Sequence, residues 1–251
     1  MTQYEEKKVS AVILAAGKGT RMKSDVAKVL HPLCGKPMLT YSVDVARAIG
    51  AEKIAVIVGH QADVVREVFK DQGVIFIEQR EQLGTGHAVL QAKDTFCNYD
   101  GTILILCGDV PLLCLSTVIA LFEYHISEKA VLTVLTTILG DPTGYGRIIK
   151  KGDRGEVLRI IEEKDASPDE KKIREINTGI YCVESNFLFR AVDEVGNENV
   201  QKEYYLTDIV GIAWQKGYKT RSFITVNSFE VMGINTPFDL IKASEYMMTC
   251  K

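Results

Sequence analysis

The chain carries no C-x-x-C pair, and none of its six cysteines (Cys34, Cys97, Cys107, Cys114, Cys182, Cys250) clusters with histidine. Neither a zinc ribbon nor a disulfide scaffold is indicated, and the thiols read as reduced and mostly buried, as in a cytosolic protein. The first ten residues are polar and lack the apolar core of a signal peptide. No apolar run approaches the roughly 20 residues that cross a bilayer, so the expected location is cytoplasmic and no membrane partner is expected. Excess charge is also missing: 30 Lys+Arg against 33 Asp+Glu leave a formal net charge of −3. That balance gives no footprint for nucleic acid, and any anion site has to be built locally. No long linker, repeat or low-complexity run interrupts the 251 residues, whose 46% hydrophobic content suits one large α/β domain or two closely joined lobes.

What is present alternates. Strand-like runs at 11–14, 53–58, 74–77 and 102–107 are separated by segments with helical spacing at 38–49, 63–69 and 87–96. This βαβ rhythm predicts a largely parallel sheet with ligands at the carboxyl ends of its strands. After a further helical pattern at 114–126 the rhythm changes. Short β-prone runs follow at 130–138, 147–150, 157–161 and 179–183, joined by turns such as Gly152-Asp153. These predict a substrate-facing part with mixed or antiparallel pairing. Helices at 186–195 and 206–215, a strand at 220–226 and a closing helix from about Pro237 complete the pattern.

The most informative stretch is Val12-Ile13-Leu14-Ala15-Ala16-Gly17-Lys18-Gly19-Thr20-Arg21-Met22, a strand driving into a glycine-broken loop with two cations, followed seven residues later by Lys28. Glycines expose backbone N–H groups to anions, and nearby cations neutralise charge. The loop therefore reads as phosphate-handling. It is not a P-loop, because the upstream glycine of G-x-x-x-x-G-K-[ST] is Val12 and Gly19 follows Lys18. It is a poor dinucleotide fingerprint, since Met22 holds the third glycine position and the second strand ends in Gly59-His60 without an acid.

Taken with Ser24, Lys28, Val29 and Leu30, this stretch resembles the signature of the sugar-nucleotide pyrophosphorylases. Seven more segments match in order: Gln82–Ala88 (QLGTGHA), Gly108–Leu112 (GDVPL), Pro142–Ile148 (PTGYGRI), Glu162–Ala166 (EEKDA), Glu175–Gly179 (EINTG), Glu203–Asp208 (EYYLTD) and Gly233-Ile234-Asn235. The likeness is greatest to the uridyltransferase part of the N-acetylglucosamine-1-phosphate uridyltransferases. It implies an α/β fold: a Rossmann-like three-layer domain with a mostly parallel mixed sheet and a smaller β-rich sugar-binding lobe. As a single nucleotidyltransferase domain over 1–251, the chain would divide into a nucleotide-binding half at about 9–128, a sugar-binding lobe at about 129–227, and a closing metal-site segment and helix at about 228–251.

The implied reaction is transfer of a uridylyl group from UTP to N-acetylglucosamine-1-phosphate, giving UDP-N-acetylglucosamine and pyrophosphate for cell-wall (peptidoglycan) synthesis. A phosphate oxygen is already anionic at neutral pH, so no general base or covalent nucleophile is required. The obstacle is bringing two polyanions together, and cations, backbone N–H groups and Mg²⁺ are the expected levers. By resemblance, Arg21 contacts the triphosphate and Lys28 the phosphates at the reacting centre, with Lys18 a weaker candidate. Asp109, expected at a strand end, and Asn235 are the implied Mg²⁺ ligands, a hard-oxygen pair suited to that ion.

The nucleotide would be held by Leu14, Ala15, Ala16, Gly17, Gln79, Gln82, Gly84 and Thr85 together with Lys28 and Asp109. An amide such as Gln79 matches the mixed edge of uracil. Thr85 also suits the cap of the helix that follows, and His87 reads as a packed or capping histidine. Sugar contacts fall to Gly146, Glu162, Asn177, Thr207 and Asn235, with Tyr145 a softer candidate and Glu163 competing with Glu162. The hexapeptide-repeat β-helix of the bifunctional enzymes has no counterpart in these residues, so no acetyltransferase activity and a monomer or weak oligomer are expected. Alternatives are the same chemistry with another base or sugar, a non-catalytic sugar-nucleotide-binding protein, and a nicotinamide enzyme.

Overall fold

The elements form where apolar spacing demands them. In the computed structural model, which describes residues 8–152 and 155–249, the first half runs β1 (Val9–Ala15), a hairpin β2 (Pro32–Leu33) and β3 (Lys36–Pro37), α1 (Met38–Ala48), β4 (Ile54–Val58), α2 (Ala62–Phe69), β5 (Ile75–Glu78), α3 (Thr85–Leu90), β6 (Thr102–Cys107) and α4 (Leu115–Ser127). The second half runs β7 (Leu132–Ile138), β8 (Arg147–Lys151), β9 (Glu156–Ile161), β10 (Glu175–Glu184), α5 (Ser185–Val192), α6 (Asp208–Gln215), β11 (Thr220–Ile224) and α7 (Pro237–Thr249). Asp153 of the expected turn, and Cys250, lie outside the described residues.

One sheet organises the chain, in the order β11-β7-β10-β6-β1-β4-β5, with β8 and β9 attached to β10 as a side hairpin. Pairings β1–β4, β1–β6, β4–β5 and β7–β11 are parallel, whereas β10 runs antiparallel to both β6 and β7. Central strands of such a sheet are covered on both faces and therefore read as unbroken apolar runs. β4 (IAVIV) is buried at every position. Successive side chains then feed two cores. Val12, Ile103, Ile105 and Tyr181 join Val89, Leu188 and Ile209 on one face, and Ile13, Leu104, Leu106 and Cys182 join Leu39, Val43, Val65 and Leu121 on the other. The result is three layers.

The β-rich second half shares this sheet: β7, β10 and β11 extend it beyond β6, and the β8–β9 hairpin hangs from β10 at the Ile176–Arg147 pair. The expected strand at 179–183 is longer, Glu175–Glu184, with a pairing irregularity between Asn177 and Tyr181. Gly179 makes it possible. It sits at φ +80°, and an added Cβ would lie 2.9 Å from Cys107 Sγ. The expected helix over 87–96 stops at Leu90 and resumes as a 3₁₀ turn, Asp94–Phe96, which seats Phe96 on Phe189 at 6.0 Å between centroids. The β2–β3 hairpin, absent from the sequence reading, turns on Cys34 and Gly35, both with positive φ (47° and 84°).

The segment after β11 is tied back by a buried acid. Glu230 accepts from Thr117 Oγ1 at 2.8 Å and the Cys114 N–H at 3.4 Å, and also from Thr225 Oγ1. Removing it strands these donors in the interior. Glu230→Ala should lower the unfolding free energy by about 2–4 kcal/mol, measured by urea titration; a loss below about 0.5 kcal/mol would contradict this account.

Candidate functional site

The carboxyl ends of β1 and β6 are adjacent, with Leu14 paired to Cys107, and the loops leaving them form the floor of the site. Beyond Ala15 the backbone N–H groups of Gly17, Lys18 and Gly19 find no acceptor among the described residues. Gly19 is left-handed (φ +62°), and a Cβ there would fall 2.5 Å from Lys28 Cβ. Glycine is thus required for the loop to fold back over Lys28. A second restraint comes from Gln61, whose Oε1 accepts from the Ala27 N–H at 2.8 Å and whose Nε2 donates to the Asp25 carbonyl. This clamp on the segment before Lys28 was not anticipated from the sequence.

Four predicted residues converge. Lys28 Nζ donates to Asp109 Oδ2 and, at 2.6 Å, to Asn235 Oδ1; Arg21 reaches the same Asn235 oxygen at 2.9 Å. Lys18 is exposed and makes no hydrogen bond or ion pair among the described residues. The position of Asn235 is set from two sides. The Ile234 N–H donates to the Asp109 carbonyl at 2.8 Å, and Asp239 Oδ2 accepts from the Asn235 and Thr236 N–H groups at 3.0 and 2.8 Å. Thr236 Oγ1 in turn accepts from the Asp239 N–H at 3.2 Å. This reciprocal pair caps α7, and its T-x-x-D spacing is the sequence signal for that cap.

Two oxygens, one carboxylate and one amide, therefore face a single cation position. Hard oxygen donors in that number suit Mg²⁺, which takes few protein ligands and completes its shell with phosphate and water. No cluster of three or more His, Cys, Asp or Glu able to hold a metal occurs among the described residues. Burial raises the nearby Cys107 thiol far above its ordinary range, so it stays protonated.

A cleft of about 220 Å³ adjoins the loop, lined by Leu14, Ala16, Gly17, Gln79, Gln82, Gly84, Thr85, Ala88 and Glu203. Seven of the predicted nucleotide residues thus share one cleft. Ala15 does not line it and packs into the core on the opposite face. Gln79 is buried and donates through Nε2 to the Gly84 carbonyl at 3.0 Å, while Gln82 Nε2 donates to the Gln79 carbonyl at 3.0 Å. Gly84 is obligatory here: at φ +116° a Cβ would lie 2.5 Å from the Tyr204 carbonyl oxygen. Thr85 caps no helix through its side chain; its Oγ1 accepts from the Leu206 N–H at 3.0 Å and so anchors the segment leading to Thr207.

Gly146, Glu162, Asn177 and Thr207 form a second group. Thr207 Oγ1 donates to Glu162 Oε1 at 3.1 Å, Asn177 N–H donates to the Gly146 carbonyl at 2.9 Å, and a Cβ on Gly146 would approach Glu162 Oε2 to 3.4 Å. Asn177 Oδ1 is fixed by Tyr181 Oη, donating at 2.9 Å. Burial raises the Glu162 carboxyl above its usual range, opposed by the Thr207 hydrogen bond. Glu163 is otherwise engaged. The buried Arg147 donates to Glu163 Oε2 at 2.6 Å and holds its carboxyl below the usual range, so Glu163 supports the 144–147 loop. A cavity of about 590 Å³ opens beside this group, reached by Glu162 and Thr207 but not by Gly146 or Asn177. Tyr145 lies within the field of Asp239, Asp109 and Arg21, and burial raises its hydroxyl above the ordinary value.

The bifunctional protein GlmU of Geotalea daltonii is 52% identical over 237 residues, 94% of this chain and 52% of that protein. The GlmU proteins of Brevibacillus brevis and Clostridioides difficile are each 50% identical, over 96% and 94% of this chain. The chain spans about half the length of these curated relatives (51–52%). A solved UDP-glucose pyrophosphorylase in complex with UDP-glucose superposes with a TM-score of 0.75 at 17% identity, covering 98% of this chain and all of that one, and so shares the fold. No helix among the described residues is long and apolar enough to cross a membrane. The family profile described as Nucleotidyl transferase matches residues 10–233, and the chain belongs to that family.

Proposed function

We propose that this chain transfers a uridylyl group from UTP to N-acetylglucosamine-1-phosphate, releasing pyrophosphate and forming UDP-N-acetylglucosamine, a cell-wall precursor made in the cytoplasm. The observation that carries the reading is the convergence of Lys28 and Arg21 on the Asp109–Asn235 oxygens beside an amide-lined cleft. We assign the nucleotide to the half at about 9–128, the acceptor sugar to about 129–227 and the closing contacts to about 228–251, with the chain a monomer or weak oligomer.

The acceptor phosphate oxygen attacks the α-phosphorus, a bond to that phosphorus forms, and the bond to the pyrophosphate oxygen breaks. No proton has to be removed from the nucleophile. The unpaired N–H groups of Gly17, Lys18 and Gly19 face the phosphates of the nucleotide, and Arg21 offers its forked guanidinium to them. Lys28 leaves its carboxylate and amide partners to neutralise charge at the reacting phosphorus, where a cation in a partly water-excluded site acts most strongly. Mg²⁺, held by Asp109 and Asn235, would supply further charge neutralisation to the phosphates. Glu162, Asn177 and Thr207 present acceptors and donors to sugar hydroxyls, and Gly146 leaves room beside them.

Incubation with UTP, Mg²⁺ and N-acetylglucosamine-1-phosphate should release pyrophosphate in a coupled phosphate assay; none with any sugar phosphate would overturn the proposal. Lys28→Ala should lower kcat by about 10²–10³, as expected when one transition-state donor is lost, and chelation with EDTA should suppress turnover until Mg²⁺ is restored. For the acceptor, Glu162→Gln should raise the KM for the sugar phosphate by roughly tenfold, about one hydrogen bond to a charged group. Glu163→Gln should leave that KM within about twofold and instead lower thermal stability by about 1–3 kcal/mol. An equal KM effect at both positions would sink the assignment.

A further inference from the structure

Gln79 lines the nucleotide cleft, and a carboxamide can face a ligand in two chemically opposite ways. Here the orientation is dictated. Gln79 Nε2 lies 3.0 Å from the Gly84 carbonyl, which can only accept, so that end of the amide has to be the NH₂. Its second hydrogen points at His87 Nδ1, 3.1 Å away. That contact is a hydrogen bond only with Nδ1 bare, which places the ring proton of neutral His87 on Nε2. On the other side of the ring, the half-buried Gln91 carboxamide lies 3.2 Å from His87 Nε2. Turned over, it accepts the Nε2–H through its Oε1 in exchange for its own bond to the His87 carbonyl. The Tyr204 ring lies beside the imidazole, 6.3 Å away between centroids.

Both amide hydrogens of Gln79 are thereby engaged. Its Oε1 has no partner among the described residues and is the atom left for the ligand. We propose that His87 is a positioning residue for nucleobase choice: it locks the Gln79 carboxamide with Oε1 presented to the cleft. An acceptor fixed there complements the imide N–H of uracil or thymine. Cytosine would meet it with the bare lone pair of its own N3 and leave both unpaired. A site that commits a buried polar group to one partner rejects the analogue lacking it more strongly than shape alone can. This inference rests on the proposal that the cleft takes the base of a nucleoside triphosphate.

The test is the affinity of UTP and CTP, each with Mg²⁺, by titration calorimetry. The unaltered chain should bind UTP more tightly than CTP. In His87→Ala the amide is free to turn, and the UTP-to-CTP affinity ratio should fall at least tenfold, on the order of one hydrogen bond. His87→Leu, which fills the volume without an acceptor, should do the same. His87→Asn places Oδ1 where Nδ1 was and should restore the ratio to within about threefold of the original. An unchanged ratio in a folded Ala or Leu variant, or an equal fall in the Asn variant, overturns the proposal. Gln79→Leu separates the two failures. If it abolishes the preference while the His87 variants do not, the cleft holds the base and the lock is wrong. If neither position moves the ratio, the base reading itself is wrong.

Discussion

The ammonium of Lys28 between Asp109 and Asn235 is the interaction on which the site depends, because its one charge ties together three segments far apart in sequence. Each partner arrives by a different constraint. Asp109 is fixed because β6 lies beside β1 in the sheet and ends two residues earlier. Lys28 is fixed by a 3₁₀ turn packed through Val29 and by the Gln61 clamp on the preceding loop. Asn235 is fixed by the cap of α7 and by the backbone bond from Ile234 to Asp109. A charged pair this far out of solvent is stabilising only with near-complete pairing, and the Asn235 amide supplies the remaining acceptor.

The same arrangement suits a reaction between two anions. Asp109 and Asn235 gather Lys28 and Arg21 at one place, so on the proposed reading neither cation has to be recruited from solvent. On the proposed reading Lys28 exchanges these partners for phosphate as substrate binds, so the cation is in place before the chemical step, where electrostatic catalysis gains most. Gly19 and Gly84 serve that rigidity in one way: each removes a Cβ that would collide with the opposite wall, at Lys28 and at Tyr204.

Much of this was legible in the sequence because it is local. Strand and helix periods located the sheet's first half within a few residues, and the glycine-broken loop after β1 could be placed from its own residues. Gathering Gln79, Gln82, Gly84 and Thr85 at one cleft required the motif register, since no spacing rule links them to Leu14. What stayed hidden depends on long-range contacts. The pairing irregularity in β10 is understood only once Cys107 Sγ is seen against Gly179. Glu162 and Glu163 are indistinguishable in a charged run, and only the buried Arg147, sixteen residues away, separates them by claiming Glu163. Nothing in the sequence marks Gln61, because its partners Asp25 and Ala27 lie across a loop of no fixed pattern.

The bond from Ile234 to the Asp109 carbonyl bears on the order in which the site assembles. Asn235 stands 207 residues beyond its partner Lys28. Loop closure over such a span comes late, after the sheet that frames it. A chain still short of Asn235 can complete β1, β4 and β6, and even the cleft around Gln79, while its Lys28 and Arg21 lack their shared oxygen. Lys28 and Asp109 can pair without Asn235, but the amide oxygen that Lys28 and Arg21 share comes from a contact of the longest sequence separation in the site, so it is the last acceptor to arrive.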